Sequence, residues 1–195
     1  MNLPNKLTIL RIILVPFFIV ALLIEFPFHY LTSGILFGLA AITDSLDGKI
    51  ARKRNLVTNF GKFADPLADK ILVVSALVCF MQIGLLGDYG AIPVIIVLFR
   101  EFTVSGIRLI AASNGKVVAA NIWGKIKTVS QMGGIVLIFA MQIVLEIFQL
   151  LGISTGNFSC VSYYIGLTVI WLSTLLTIIS GIIYIKDNID FIKEK

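Results

Sequence analysis

The chain has 195 residues, 58% of them hydrophobic and only 14% charged, with a formal net charge of +5. A soluble domain of this length is normally about half apolar and roughly a quarter charged. The apolar runs that recur along the whole sequence therefore exclude an ordinary soluble domain and point to a polytopic helical membrane protein. The sequence lacks the alternating short strands of a β-barrel.

Six hydrophobic segments are expected, at about 7–24, 31–50, 63–83, 91–112, 123–147 and 162–185. Each is long enough, at roughly 1.5 Å per residue, to cross a hydrocarbon core of about 30 Å. The first carries Arg11 inside it and has no small-x-small cleavage site before Glu25, so a retained helix is expected rather than a cleaved signal. Pro16 makes it a candidate for a kink. The second contains Gly34 and Gly38, a G-x-x-x-G step expected to serve close helix packing, and it closes on Asp44 and Asp47. The third opens with Asp65 and Asp69. The fourth holds Arg100 and Glu101 deep in its span, with Arg108 further on. The fifth begins with Lys125 and Lys127, and the sixth carries little signal.

Breaks at Glu25–Tyr30, Gly84–Gly90 and Gly152–Ser159 contain Gly, Pro, Asn and Ser, the usual turn residues. With no repeat or low-complexity tract, one transmembrane domain over 1–195 is expected. Cys79 and Cys160 stand far apart and read as small apolar packing residues, not as a metal or disulfide framework. Trp123, Trp171, Tyr30, Tyr89, Tyr163, Tyr164 and Tyr184 fall mostly near segment ends, as interfacial aromatics do. His29 stands alone on its side of the chain.

The charges set an orientation. Lys6 and Arg11 lie at the N-terminal end. Lys49, Arg52, Lys53, Arg54 and Lys62 surround the second-to-third connection. Lys116 and Lys125 lie in the fourth-to-fifth connection, and Lys186, Lys193 and Lys195 in the tail. The remaining connections hold Glu25, His29, Asp88 and Glu146, with no Lys or Arg. This asymmetry places both termini and the basic loops in the cytoplasm. The one-sided positive charge suits anionic lipid surfaces and phosphorylated substrates rather than nucleic acid.

Asp44 and Asp47 stand at i, i+3 and Asp65 and Asp69 at i, i+4, so each pair shares one helix face. A short basic loop joins the two helices, which makes them antiparallel neighbours with carboxylates converging at the cytoplasmic edge. Gly48 and Ala51 share the stripe of Asp44, and Gly61 stands one turn before Asp65; small residues there leave room for a ligand. Four uncompensated carboxylates in a bilayer protein repel one another and imply function. All-oxygen ligands favour Mg²⁺, Mn²⁺ or Ca²⁺ over Zn²⁺. Two such ions about 4 Å apart would clamp a pyrophosphate.

The pattern Asp44-x-x-Asp47-Gly48-x-x-Ala51-Arg52, eight residues, then Gly61-x-x-x-Asp65-x-x-x-Asp69 resembles the signature of the CDP-alcohol phosphotransferase family at every position. The runs Asn2–Arg11, Arg100–Arg108 and Gly124–Gln131 are similar to segments of its bacterial phosphatidylglycerophosphate synthase branch. The resemblance covers most of the chain through about residue 145. It implies six transmembrane helices, commonly in a homodimer, in a bacterial plasma membrane with the active site facing the cytoplasm. It also implies two divalent cations per site, Mg²⁺ or Mn²⁺. The donor would be CDP-diacylglycerol, the acceptor sn-glycerol 3-phosphate, and the products phosphatidylglycerophosphate and CMP.

On the same resemblance Asp44, Asp47 and Asp65 bind metal, and Asp69 is the fourth ligand and the candidate general base; spacing alone does not separate Asp69 from Asp65. Asn5, Thr8, Gly48, Arg52 and Thr58 match positions that contact the CDP moiety, with Ala51 beside them. Arg52 suits a pyrophosphate oxygen through its planar fork.

The acceptor phosphate needs cations of its own. Arg100, Arg108, Lys116, Lys125 and Lys127 are the candidates. Arg100 could instead belong to a structural network with Glu101, since an isolated intramembrane Arg is costly and needs a partner. Lys116 could be a lipid-facing surface lysine. Lys53 and Arg54 read as topogenic. Two alternatives stay open. One is a synthase of the same family that takes serine, inositol phosphate or phosphatidylglycerol. The other is a divalent-cation transporter, although transporter sites usually sit near the midplane, with internal repeats.

Overall fold

The computed structural model describes residues 3–53, 59–113 and 121–189. Six helices occupy nearly all of them: α1 (Leu3–Leu23), α2 (His29–Lys53), α3 (Asn59–Gln82), α4 (Ala91–Ser113), α5 (Ile122–Leu150) and α6 (Gly156–Asp187). No strand occurs among the described residues. α1, from Asn5, together with α5 and α6, is long and apolar enough to cross a membrane; His29–Thr43 and Lys70–Gln82 are shorter apolar helical stretches.

The helices are longer than the apolar runs that announced them. α1 starts at Leu3 because Pro4 sits in the first turn, where its missing N–H has no helical partner to lose. It runs uninterrupted through Pro16. α5 continues to Leu150 and ends on a glycine-capped turn. There Gly152 has φ +68°, its N–H reaches Gln149 O at 3.1 Å, and Ile153 N–H reaches Phe148 O at 2.9 Å. α6 begins six residues before the expected 162, since a polar first turn can be helical at no cost to the apolar pattern.

The chain divides into two compact units: Met1–Ile83 with Ile138–Ser162, and Gly84–Leu137 with Tyr163–Lys195. In the first unit α1 packs on α2 and α3, and α2 on α3. Four rings form its centre. Phe139 of α5 meets Phe18, Phe37 and Phe80 at 6.0, 5.7 and 5.0 Å between centroids, and Phe18 meets Phe37 at 5.8 Å. Hydrocarbon outside is as apolar as the rings inside, so contact and shape hold this core rather than expulsion from water. The outward faces agree with such surroundings: Ile13, Phe17 and Val20 of α1 are all at least half exposed.

Gly34 and Gly38 do not make the close approach expected of them. A methyl at Gly34 would meet Phe139 and Ile143 at ordinary contact distance, and one at Gly38 would meet nothing within 4 Å. The bulky Phe139 and Ile143 side chains hold the backbones apart. The close approach occurs in the second unit, where a methyl at Gly134 of α5 would come within 2.9 Å of Val169 of α6.

His29 is not alone either. Its Nδ1 lies 3.0 Å from Glu146 Oε1, and Tyr30 N–H donates to Glu146 Oε2 at 3.2 Å. The buried Glu146 carboxylate of α5 thus sits at the N-terminus of α2, where the helix dipole favours negative charge. In α6 the buried threonines need no external partner: Thr174 and Thr177 donate to Ile170 O and Ser173 O, each at 2.8 Å.

Candidate functional site

In the first unit α1 and α2 form an antiparallel hairpin across the short turn 24–28, with Phe18 against Phe37. Along α1 the buried stripe is Asn5, Thr8, Arg11, Val15, Phe18 and Leu22. Its C-terminal half is apolar and its N-terminal half polar. Along α2 the buried stripe is Ser33, Phe37 and Ala40, and positions 44 and 47 continue its spacing. About two turns from the Phe18–Phe37 pair, on their respective helices, stand Arg11 and position 44.

α3 closes the arrangement. Five residues of sequence separate α2 from α3, a reach of at most about 18 Å, so Lys53 and Asn59 are near each other. Phe37 and Phe80 both rest on Phe139. The two helices therefore run antiparallel, with positions 44 and 47 about level with 65 and 69. The buried stripe Ala68, Leu72, Ala76 and Phe80 marks the inner face of α3.

Asp44, Asp47, Gly48, Ala51 and Arg52 thus stand on the last turns of α2, and Gly61, Asp65 and Asp69 on the first turns of α3. Their side chains, and Thr58 and Lys116 altogether, lie outside the described residues. The donor set is four carboxylates, with no His or Cys between residues 44 and 69. By that chemistry it fits a hard divalent cation.

Asn5 is 8% exposed, and Thr8 and Arg11 are fully buried; all three have polar or electrostatic partners. From the sequence, Arg11 reads as a topological charge and as the end of the Asn2–Arg11 run, with no place in the donor site. The signal that reading missed is the spacing Asn5–Thr8–Arg11–Val15–Phe18–Leu22, which puts Arg11 on the same inward stripe as the two expected donor-binding residues.

The second unit holds the basic candidates. Arg100 Nη1 donates to Glu101 Oε1 at 3.0 Å, and its Nη2 donates to Ser180 Oγ of α6 at 2.8 Å. Lys127 of α5, buried, donates to the same Glu101 oxygen. Arg100 passes so close to α6 that a methyl at Gly181 would lie 3.2 Å from its Cγ. The partner that an intramembrane arginine requires is therefore present, and the Arg100–Glu101 network is real. Among the described residues two cations thus share one carboxylate oxygen.

Arg108 and Lys125 are exposed on α4 and α5. Arg108 Nε donates to Tyr184 Oη at 3.2 Å, with Cζ 5.6 Å from the ring centroid. Tyr184 is only 2% exposed, packed with Val104 and Ile107, and so is no interfacial aromatic. The structure brings Arg100 and Lys127 together on Glu101. A separate groove of about 320 Å³ between α4 and α6 is lined mainly by aliphatic residues and Phe99, with Arg100 the one charged residue in its wall among the described residues.

The fold is that of an α-helical protein of the membrane class, with helices long and apolar enough to span and a carboxylate quartet on two packed helices. The chain belongs to the CDP-alcohol phosphatidyltransferase family, whose model matches residues 1–179. A Bacillus subtilis relative named CDP-diacylglycerol–glycerol-3-phosphate 3-phosphatidyltransferase is 40% identical, covering 98% of this chain and 97% of its own length. A Rickettsia bellii relative of the same name is 40% identical over 95% and 94%. One from Haemophilus influenzae, also of that name, is 41% identical over 67% and 71%.

Proposed function

We propose that this chain transfers the phosphatidyl group of CDP-diacylglycerol to sn-glycerol 3-phosphate, giving phosphatidylglycerophosphate and CMP for anionic phospholipid synthesis. The observation that carries this reading is the near end-to-end similarity to relatives named for that transfer. The carboxylate positions on α2 and α3 and the basic residues of the second unit support it.

On this reading the chain acts as one transmembrane catalytic domain over 1–195, with six spans, both termini and the active site cytoplasmic, in a bacterial plasma membrane and as a homodimer. Support for the orientation comes from the one-sided distribution of Lys and Arg.

Asp44, Asp47, Asp65 and Asp69 would hold two divalent cations, Mg²⁺ or Mn²⁺, which when bound would supply Lewis-acid stabilisation of the pyrophosphate. Asn5, Thr8, Gly48, Ala51, Arg52 and Thr58 bind and orient the CDP moiety. Arg52 grips a pyrophosphate oxygen with its fork. Asp69 takes the proton of the acceptor's primary hydroxyl. That oxygen forms a bond to the phosphorus bearing diacylglycerol, the phosphoanhydride bond to the nucleotide phosphate breaks, and CMP departs with the electron pair.

Arg108, Lys125 and Lys116 draw in the acceptor's phosphate dianion. Arg100 and Lys127, already engaged by Glu101, add fixed positive charge behind them. A phosphorylated acceptor, glycerol 3-phosphate or inositol phosphate, fits this set better than serine does.

The test is CMP release by the purified protein in micelles containing CDP-diacylglycerol, offered glycerol 3-phosphate, serine, inositol phosphate and phosphatidylglycerol in turn. Release only with glycerol 3-phosphate is expected. Release only with another acceptor would keep the family chemistry and overturn the acceptor.

A further inference from the structure

Two arginines of α4 lean on α6, and α6 treats them differently. Arg100 has one Nη on Glu101 and the other on Ser180. Arg108 is exposed and is held by α6 only through Nε, which donates to Tyr184 Oη at 3.2 Å, while Cζ lies 5.6 Å from the Tyr184 ring centroid. Among the described residues the Nη groups of Arg108 make no hydrogen bond. The tyrosine is itself fixed. Its side chain is buried with Val104 and Ile107 of α4, and its backbone carbonyl accepts from Asn188 Nδ2 at 2.8 Å.

A guanidinium can present either its Nε–Nη edge or its Nη–Nη end to an oxyanion. With Nε occupied, Arg108 can offer only the end, as a parallel pair of donors suited to bidentate phosphate binding. An exposed Arg side chain is rich in rotamers, and a partner that fixes the group beforehand reduces what binding must overcome.

We propose that Tyr184 is a positioning residue for the acceptor: its buried hydroxyl fixes Arg108 so that the two Nη groups face the phosphate of the incoming phosphoalcohol. This rests on the assignment of Arg108 to the acceptor phosphate and adds to it a role for the last helix. Tyr184 acts through Arg108 and on binding of the acceptor, not on the donor or on the chemical step.

The experiment is steady-state kinetics on the full-length protein in CDP-diacylglycerol micelles, varying glycerol 3-phosphate and then the donor, for Tyr184→Phe, Arg108→Gln, Arg108→Lys and the pairings of Tyr184→Phe with each. Tyr184→Phe keeps the ring, its packing and the cation–π contact and removes only the hydroxyl. It is expected to raise KM for glycerol 3-phosphate roughly fivefold to tenfold, with kcat and the donor KM little changed. Arg108→Gln is expected to raise the acceptor KM further, by about a hundredfold. In the Arg108→Gln and Arg108→Lys backgrounds, which have no guanidinium for Tyr184 to orient, adding Tyr184→Phe should change nothing more.

If Arg108→Gln raises the acceptor KM and Tyr184→Phe leaves it unchanged, the positioning role is overturned and the acceptor assignment stands. If Tyr184→Phe has its full effect even without the arginine, it acts on packing and the proposal is likewise overturned. If Arg108→Gln leaves the acceptor KM unchanged, the underlying assignment fails as well. Should Tyr184→Phe not fold, the opposed comparison of Arg108→Lys with Arg108→Gln decides. A Lys that retains wild-type acceptor KM needs no oriented fork and overturns the proposal; a Lys almost as poor as Gln supports it.

Discussion

Among the described residues of the second unit, Glu101 is the carboxylate that joins two cations. It accepts from both Arg100 and Lys127, and it is largely buried along with them. Glu101→Gln removes the carboxylate that both largely buried cations contact. Breaking a buried pair by removing one partner typically costs about 3–5 kcal/mol, and a third of that would still be measurable. We expect a clearly lowered unfolding midpoint in detergent, read by intrinsic fluorescence; an unchanged midpoint would mean that the network is held by something other than this carboxylate. Gly87 is a second residue with a defined penalty. It has φ +66°, and a methyl there would lie 2.8 Å from Tyr163 Oη. Gly87→Ala combines left-handed backbone strain with a clash and is expected to cost about 2 kcal/mol by the same assay.

At the scale of elements, the type and order of the six helices were legible because apolar runs alternate with short turn-rich breaks. Their ends were not, since hydrophobicity reports where lipid begins and not where the helix stops. Thus α6 starts at Gly156 and α2 reaches Lys53, both beyond their apolar stretches. The aspartate positions were legible because carboxylates stand out in a hydrocarbon-rich chain. Arg11 and Tyr184 were not, because each has a bland reading, topological charge for one and interfacial aromatic for the other. Only the stripe on α1 and the α4–α6 contact give them a place.

Helix contact was the other partial miss. The G-x-x-x-G spacing at Gly34 and Gly38 suggested a close approach, whereas the partner side chains decide whether one occurs. The pair of substitutions that checks this is Gly34→Ala and Gly134→Ala. The first has ordinary contact room and should change stability by no more than about 0.5 kcal/mol. The second meets Val169 at 2.9 Å and should cost about 1–3 kcal/mol. Equal effects would contradict the packing described for α5.

At the scale of the whole molecule, charge asymmetry is the basis of the proposed orientation. The connection at 152–155 contains no Lys or Arg, whereas Lys186 ends α6. In a background lacking Cys79 and Cys160, a cysteine introduced by Ser154→Cys should react with a membrane-impermeant maleimide in intact cells. One introduced by Lys186→Cys should react only after permeabilisation. The reverse pattern would invert the topology and remove the argument that the aspartates meet cytoplasmic substrates.

The central claim is that four carboxylates on α2 and α3 drive phosphatidyl transfer to glycerol 3-phosphate. The most direct measurement is product formation by the purified chain from CDP-diacylglycerol and labelled glycerol 3-phosphate, with Mg²⁺ or Mn²⁺, with chelator, and for Asp69→Asn. The account predicts labelled phosphatidylglycerophosphate in equal amount to CMP, abolished by chelator and reduced by about a thousandfold or more in Asp69→Asn. Undiminished product from Asp69→Asn, or transfer that persists in chelator, would contradict it.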